Sequence, residues 1–462
     1  MPARRCLSNV VQTTSASEVG PDENLLTSAI DAHVHVFGEA DPRSLEQLRR
    51  SMGAQGEGRF AVLNADHHVG YSQPIGGGVA FPDHLSVTGV GFDVGCGNKA
   101  ALTDLTEADV AGDVPRLMDE IARTISFGVG RVNAEKADHP VLDRIAQASF
   151  YPGKSVRAKL RQRAASQLGT VGAGNHYVNL AADERGRVWV GVHFGSRGFG
   201  HGVATGFINL ANGRRFDDGE LKLSADAPPV LLPARSGLGE AYGEAMALAG
   251  EYAYAGRDWV VARVLAILGA RSVEEIHNHH NFAWRERHHG TELWVVRKGC
   301  TPAFPGQKGF VGGSMGEDSV ILEGVDSEAS RAGLYSTVHG AGRVMSRTQA
   351  AGKSRMRWAC VTGDWAQPPR SHKPSRCPLC GGKLVRSRVQ VSPGQVDWPA
   401  VRERLARQGI VLRGGAADEA PEVYKRLPEV LAAHAGTIRV LHTLRPLGVA
   451  MAGAGTVDPF KD

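Results

Sequence analysis

Gly91-Phe92-Asp93-Val94-Gly95-Cys96-Gly97-Asn98 sets a carboxylate and a thiol three residues apart inside a glycine-rich turn. Glycines let the backbone bend sharply and approach an ion or a phosphate closely, so Asp93 and Cys96 can aim at one ion. Four later segments share the style of a ligand loop: Gly172-Ala173-Gly174-Asn175-His176, Val192-His193-Phe194-Gly195-Ser196-Arg197-Gly198, His277-Asn278-His279-His280-Asn281 and His339-Gly340-Ala341-Gly342-Arg343. Any one of these histidines is more often a hydrogen-bonded structural imidazole than a ligand. The set as a whole is less easily explained that way, although spacing alone does not make it converge.

Such a set suits phosphorus chemistry. A cysteine thiolate can bridge two divalent ions, with carboxylate and imidazole filling the shells and open positions left for phosphate oxygens. Gly312-Gly313-Ser314-Met315-Gly316 would offer backbone N–H groups to a phosphate or a base. A neutral imidazole at His339 could attack phosphorus and form a phosphoramidate. Further along, Cys377-Pro378-Leu379-Cys380-Gly381-Gly382 has the shape of a zinc knuckle, with Cys360 and His372 the nearest additional donors for a structural zinc. A surface loop with two free thiols is an equal alternative for that segment.

Other histidines carry blander readings. Asp31-Ala32-His33-Val34-His35 puts two imidazoles on one strand face, as in metal-dependent hydrolases built on (β/α)8 barrels. No regular βα repeat follows, so an edge strand before the first helix is expected instead. In Asp66-His67-His68 the carboxylate is the better catalytic or orienting group. His288 and His289 lie in a charged stretch and read as solvated, as do Arg161, Arg163 and the cluster from Lys383 to Arg388.

The elements that must hold these loops follow from periodicity. Helices are expected over Asp41–Met52, 105–124, 157–168, 239–269, 396–408 and 421–435, and strands over Arg59–Leu63, Val87–Phe92, Arg187–His193, Glu292–Val296, Ser319–Leu322 and Thr437–Leu441. Strands and helices are interspersed without a βαβ rhythm or an internal repeat. The class is therefore α+β: one large domain of mixed sheets and helices, with function carried on loops. Residues 1–25 read as a loose arm, 26–366 as the catalytic core, 367–390 as a small Cys-rich insertion, and 391–462 as the part completing the core.

Composition sets the outer bounds. The chain has 462 residues, 58 of them glycine, and a net charge of +5, a mild basic excess compatible with a polyanionic partner. Six unevenly spaced cysteines imply no disulfide framework, and no signal-peptide run follows the first residues, which points to a reduced, cytoplasmic protein. Ala245 to Ala270 is the most apolar region, but Glu251, Arg257, Asp258 and Arg263 make it an amphipathic helix and not a membrane span.

The sequence resembles the RtcB family of RNA ligases. The matching runs are Ala65-Asp66-His67-His68-Val69-Gly70-Tyr71, Pro74-Ile75-Gly76-Gly77, Gly91 to Gly97, Gly172 to His176, Gly195-Ser196-Arg197-Gly198, His280-Asn281, Arg297-Lys298-Gly299, Gly313-Ser314-Met315-Gly316, His339 to Arg343, Asp418-Glu419-Ala420-Pro421 and Tyr424-Lys425. The resemblance implies an enzyme that joins RNA 3′-phosphate or 2′,3′-cyclic-phosphate ends to 5′-hydroxyl ends, using GTP and two manganese ions, in RNA repair or tRNA splicing. It places one ion on Asp93, Cys96 and His176 and the second on Cys96, His193 and His280. It makes His339 the residue that takes GMP, beside Asp66. Asn175, Asn281, Gly312, Gly313, Ser314, Met315, Ser319, Gly340, Ala341 and Gly342 would line the guanylate pocket together with His176 and His280, and Arg197 and Arg343 would bind RNA or nucleotide phosphates. An activating protein partner is compatible with the family, a membrane is not required, and the Lys383 to Arg388 cluster would extend an RNA path if the knuckle folds.

Three departures from the family pattern stand out. Asn179 replaces an acidic residue, Gly312 replaces a proline, and Met451 or Ala452 stands where a lysine that contacts the nucleotide is expected. These leave a second reading: a divergent phosphodiesterase, nucleotidyltransferase or RNA-binding factor that has lost ligation.

Overall fold

Strand-forming runs rich in β-branched and apolar residues sort into two large sheets. The computed structural model describes residues 33–362, 365–368, 372, 374–453 and 456. A five-stranded sheet runs in the order Val34–Val36, Phe60–His68, Ile75–Phe81, Thr291–Lys298, Asn281–His288. An eight-stranded sheet runs Lys308–Val311, Ser319–Gly324, Ile438–Gly453, Tyr177–Asp183, Arg187–Phe194, Gly97–Thr106, Ser272–His279, with Val411–Gly415 lying parallel beside Ile438–Gly453. Pairing is otherwise antiparallel, apart from Val34–Val36 beside Phe60–His68. The central strands are covered on both faces and have lost polar alternation: all of Val188 to Phe194 is buried.

Register is what gathers the ligand loops. Gly97 pairs with both Phe194 and His279, and Tyr177 pairs with His193. Cys96, His176, His193 and His280 therefore all fall at one end of four neighbouring strands. His280 has a second distinction: it is the single residue between Ser272–His279 of one sheet and Asn281–His288 of the other.

A 32-residue helix, Gly237–Leu268, packs against the strands Arg187–Phe194 and Gly97–Thr106. Ser236 caps it by accepting from the Gly239 N–H, and Gly269 ends it in the left-handed conformation (φ 67°). Tyr242, Ala245, Ala249, Tyr252, Gly256, Val260 and Val264 form its buried stripe. No helix among the described residues is long and apolar enough to cross a membrane.

The α+β class stands as expected, and so does the edge position of Val34–Val36. Four local expectations are corrected. Val87–Phe92 is not a strand: Ser86 accepts from the Gly89 N–H and caps a helical turn, Val87–Val90. The 105–124 helix divides into Glu107–Val110 and Val114–Thr124 around Gly112 and Asp113. The 421–435 helix is a 3-10 turn, Pro421–Val423, and a short helix, Leu427–Ala432; between them Lys425 Nζ donates to the carbonyls of Ala65 (2.7 Å) and His67 (3.0 Å). His288 is not solvated: Arg285 and Arg287 alternate outward from their strand, while Glu286 and His288 turn inward, with His288 Nε2 2.7 Å from the Glu286 carboxylate. The proposed arm, 1–25, lies outside the described residues.

Candidate metal centre and nucleophile

Cys96 ends a loop zipped to the strand junction by backbone hydrogen bonds. The Gly95 N–H donates to the Asn281 carbonyl (2.8 Å) and the His280 N–H to the Cys96 carbonyl (2.8 Å). Gly95 has φ 69°, and a Cβ there would lie 3.1 Å from the Gly250 Cα of the long helix, so only glycine fits this close crossing.

Around the buried Cys96 thiol, His176 Nε2 lies 3.5 Å and His193 Nε2 3.4 Å from Sγ. Asp93 Oδ2 is 3.0 Å from His176 Nε2. Two groups of donor atoms share the sulfur: Asp93, Cys96 and His176, and Cys96, His193 and His280. Within each group the donor atoms lie no more than 4.8 Å apart. The five residues singled out as metal ligands thus come together as two triads with one common member.

Protonation in this cluster follows from burial and neighbouring charge. Burial pushes the Asp93 carboxyl up, but the His176 hydrogen bond and charge, with Arg197, more than reverse this and hold it at about 2. Burial, aided by the Asp93 charge, pushes the Cys96 thiol well up. Burial pushes His193 and His280 well below the usual imidazole range, so both are neutral and carry a free lone pair. The Nδ1 atoms of His176 and His280 are buried without a hydrogen-bond partner.

His339 follows the strand Ser336–Val338, whose partner Cys300–Pro302 begins just after Lys298-Gly299. Its ring centroid is 4.9 Å from that of His280. Asp66 Oδ2 accepts from His339 Nδ1 (2.6 Å) and from the His339 backbone N–H (2.9 Å). The fully buried carboxyl would be raised by burial alone; the charge and hydrogen bonds of His339 bring it below its ordinary range. Gly342 (φ 76°) closes over this pair, and a Cβ there would stand 1.9 Å from the Asp66 carbonyl oxygen.

The residues expected around a guanylate are distributed over loops that abut the same region. Asn281 Oδ1 accepts from the Gly299 N–H (2.6 Å), and its amide donates to the Asp93 carbonyl (3.3 Å). Asn175 is half-buried in the turn before His176. Ser319 Oγ accepts from the Gly313 N–H (3.2 Å), Ser314 Oγ is buried without a partner, and Met315 is buried. The Gly312 and Gly340 turns touch: a Cβ on Gly340 would lie 3.5 Å from the Gly312 carbonyl oxygen. Ala341 is buried in the same turn.

Arg197 and Arg343 are both anchored. Arg197 donates to Thr170 Oγ1 (3.3 Å) and the Gly128 carbonyl (3.4 Å). Arg343 donates to the Asp418 carbonyl (2.8 Å) and to Tyr424 Oη (3.2 Å), beside the Glu419 carboxylate. Met451, where a family lysine is expected, is buried in an apolar cluster with Met315, Leu405, Ile410 and Val449, against Tyr177. Asn179 is buried as well, and its Oδ1 has no partner. Cys360, Cys377 and Cys380 converge, whereas His372 is exposed and outside their group.

Two positioning residues escaped the sequence reading. Arg257, on the long helix, is fully buried and donates to the Gly95 carbonyl (3.0 Å), His279 Nδ1 (2.9 Å) and His277 Nε2 (2.8 Å), tying the backbone before Cys96 to the side chains of the strand before His280. Its one sequence signal was a charge on the otherwise apolar stripe. Arg347 sits against the Gly172 to His176 turn, 2.4 Å from where a Gly174 Cβ would be, and 2.9 Å from Glu419; nothing in its sequence setting points there.

A thiol shared between two donor triads, beside a histidine fixed by a buried carboxylate, is the candidate site of a metalloenzyme. The family model described as tRNA-splicing ligase RtcB matches residues 47–360. The RNA-splicing ligase RtcB of Escherichia coli strain K12 is 33% identical over 313 residues, covering 63% of this chain and 76% of the relative. The tRNA-splicing ligase RtcB of Pyrobaculum aerophilum is 31% identical over 470 residues, covering 85% of this chain and 87% of the relative. The RNA-splicing ligase RtcB of Mycobacterium tuberculosis H37Rv is 28% identical over 466 residues, covering 84% and 96%. The chain belongs to the RtcB family.

Proposed function

We propose that this chain seals RNA, joining a 3′-phosphate or 2′,3′-cyclic-phosphate end to a 5′-hydroxyl end with GTP, through a covalent GMP adduct on His339. The observation that supports this most is the Asp66–His339 contact, made beside His280 of the metal cluster. Asp66 accepting from Nδ1–H fixes the ring and its tautomer, so that in the neutral imidazole Nε2 is the nitrogen that carries the lone pair for attack.

In the first step Nε2 attacks the α-phosphorus of GTP; an N–P bond forms, the bond to the bridging oxygen breaks, and pyrophosphate leaves with its electron pair. An oxygen of the RNA 3′-phosphate then attacks the same phosphorus, and the N–P pair returns to Nε2. Finally the 5′-hydroxyl oxygen attacks the activated 3′-phosphorus, its proton passes to solvent, and GMP departs with the electron pair of the broken P–O bond. A cyclic-phosphate end must first be opened by water to a 3′-phosphate.

The donor set fits a pair of divalent cations: one carboxylate, one sulfur that can bridge once deprotonated, and three imidazoles, of which His176 and His280 each keep a buried ring nitrogen without a partner. Asp93, Cys96 and His176 would hold one ion and Cys96, His193 and His280 the other. Bound there, manganese ions would offset the charge on the transferring phosphoryl group. Asn281, by bridging Gly299 and Asp93, keeps the loop that carries Cys96 in register with the turn next to His339.

Labelling with α-labelled GTP and Mn²⁺ tests the first step. A protein-bound label that is lost in His339→Ala supports the reading, and label persisting in that variant rejects the nucleophile. A second reading draws on the apolar burial of Met451: a nucleotidyltransferase that takes up GMP without completing ligation. Joined RNA from a cyclic-phosphate and 5′-hydroxyl pair excludes it; adduct without joined RNA favours it.

A further inference from the structure

A second group of sulfurs converges far along the chain from Cys96. The strands Lys353–Cys360 and Leu384–Ser392 form an antiparallel hairpin that makes a sheet of its own. Cys360 and Cys377 are buried and Cys380 is exposed, and the three Sγ atoms lie within 4.8 Å of one another, Cys360 and Cys380 at 3.3 Å. They come from two separate turns. Cys360 ends one strand, its N–H donating to the Trp365 carbonyl (2.7 Å). Cys377 and Cys380 flank a tight turn closed by Cys377 N–H to Gly382 O and Gly381 N–H to Cys377 O, both 2.9 Å, with Gly381 at φ 69°. Sulfurs at about 2.3 Å on a tetrahedral ion stand roughly 3.8 Å apart, so little movement would place all three on one zinc.

The apolar packing at this end cannot do the holding alone. Its buried cluster is Cys360, Cys377 and Leu384, with Trp358 and Trp365 laid against it. A core of that size needs a staple, and three thiolates supply one. Among the described residues no fourth carboxylate, imidazole or thiol joins the group.

The charge of the segment is the second observation. Residues 353–392 hold nine lysines and arginines and a single aspartate, net +8, whereas the whole chain is +5. The remaining residues are therefore slightly acidic, and the basic excess of the protein is concentrated here. Lys353, Arg355, Arg376, Lys383 and Arg386 are exposed. Trp358 faces Arg386 across the register and Met356 is 54% exposed, an aromatic and a flexible apolar group among cations. Cations tracking a backbone with an aromatic to stack a base are the chemistry of single-strand binding.

We propose that Cys360, Cys377 and Cys380 hold one structural zinc ion, and that the basic hairpin it braces is an RNA-binding arm of the enzyme. The choice of RNA as the polyanion rests on the ligase reading above.

The test uses the full chain. Zinc measured in purified protein should fall by about one equivalent per chain in Cys377→Ser/Cys380→Ser, and cobalt uptake should lose the corresponding thiolate charge-transfer absorption; unchanged zinc and an unchanged cobalt spectrum overturn the site. Arg355→Gln/Lys383→Gln/Arg386→Gln leaves the sulfurs intact. It should keep the zinc, weaken a fluorescent single-stranded RNA on the order of tenfold or more at 0.1 M salt, and lower the slope of log affinity against log salt by about 2. An unchanged slope overturns the arm. GMP labelling of His339 needs no RNA and should persist in both variants. If wild-type protein takes no label, the ligase reading fails, while the zinc and RNA-affinity results still decide the arm.

Discussion

The Asp66 carboxylate meets the His339 imidazole at 2.6 Å across 273 residues of chain. The same oxygen accepts the His339 backbone N–H at 2.9 Å, so ring and main chain are fixed together. Asp66→Asn removes the negative charge that selects the Nδ1–H tautomer. It should slow adduct formation from GTP by about 10²–10⁴-fold in single-turnover labelling, with little change in the circular dichroism spectrum. Labelling at the wild-type rate would show that another group activates His339.

Metal uptake should release protons. The Cys96 thiol is pushed up by burial and by the Asp93 charge, so without metal it stays protonated at neutral pH, while His193 and His280 are already neutral. Binding must expel the thiol proton, and affinity should climb steadily from pH 6 to pH 8. Calorimetry in buffers of different ionisation enthalpy should count about one proton per chain, and Cys96→Ser should abolish that release. A pH-independent affinity would contradict the thiol as ligand.

Arg257 supports the cluster without being part of it. Arg257→Met would leave the Gly95 carbonyl without this buried donor and free His277 and His279 from it, at a cost of about 3 kcal/mol. Urea unfolding should register that loss. Metal affinity should fall along with it, since Gly95 adjoins Cys96; a destabilised variant with full metal affinity would confine Arg257 to the core.

Glu286 gives the fold an acid-sensitive component. Burial pushes its carboxyl up, but the Arg297 charge and the hydrogen bonds from His288 and Arg297 more than reverse this, leaving it below its ordinary 4.5. Because the folded value is depressed, the stabilisation is complete above about pH 4.5 and is lost as pH falls through the lowered value. Glu286→Gln should cost about 3–5 kcal/mol at pH 7, by leaving Arg297 buried and unpaired, and the gap from wild type should narrow below pH 4. Since Arg297 also donates to Ser336 Oγ (2.9 Å) and the Leu334 carbonyl (2.8 Å), on the segment leading to His339, labelling should weaken too.

The sequence was most legible where glycine loops flank polar side chains. Asp93, Cys96, His176, His193 and His280 could be singled out because each sits at a turn beside an apolar run, and antiparallel register then put those turns at one sheet end. The long helix was visible from its period and its glycine stop. Features decided by tertiary contacts stayed hidden. Val87–Val90 has strand-like composition, yet a serine cap winds it into a turn. His288 looked solvated because its neighbours are charged, yet the pleat sends them to opposite faces. Arg257 and Lys298 carry no motif that marks burial; Lys298 Nζ is enclosed by the carbonyls of Tyr71 and Gln73 and the Tyr71 ring.

His280 occupies the one-residue joint between a strand of each large sheet. A cation seated on it and on Cys96 would therefore tie the joint between the sheets to the loop that leads into Gly97–Thr106. Its donors are brought together only in the folded chain, so by mass action a saturating ion would raise the resistance of the protein to unfolding.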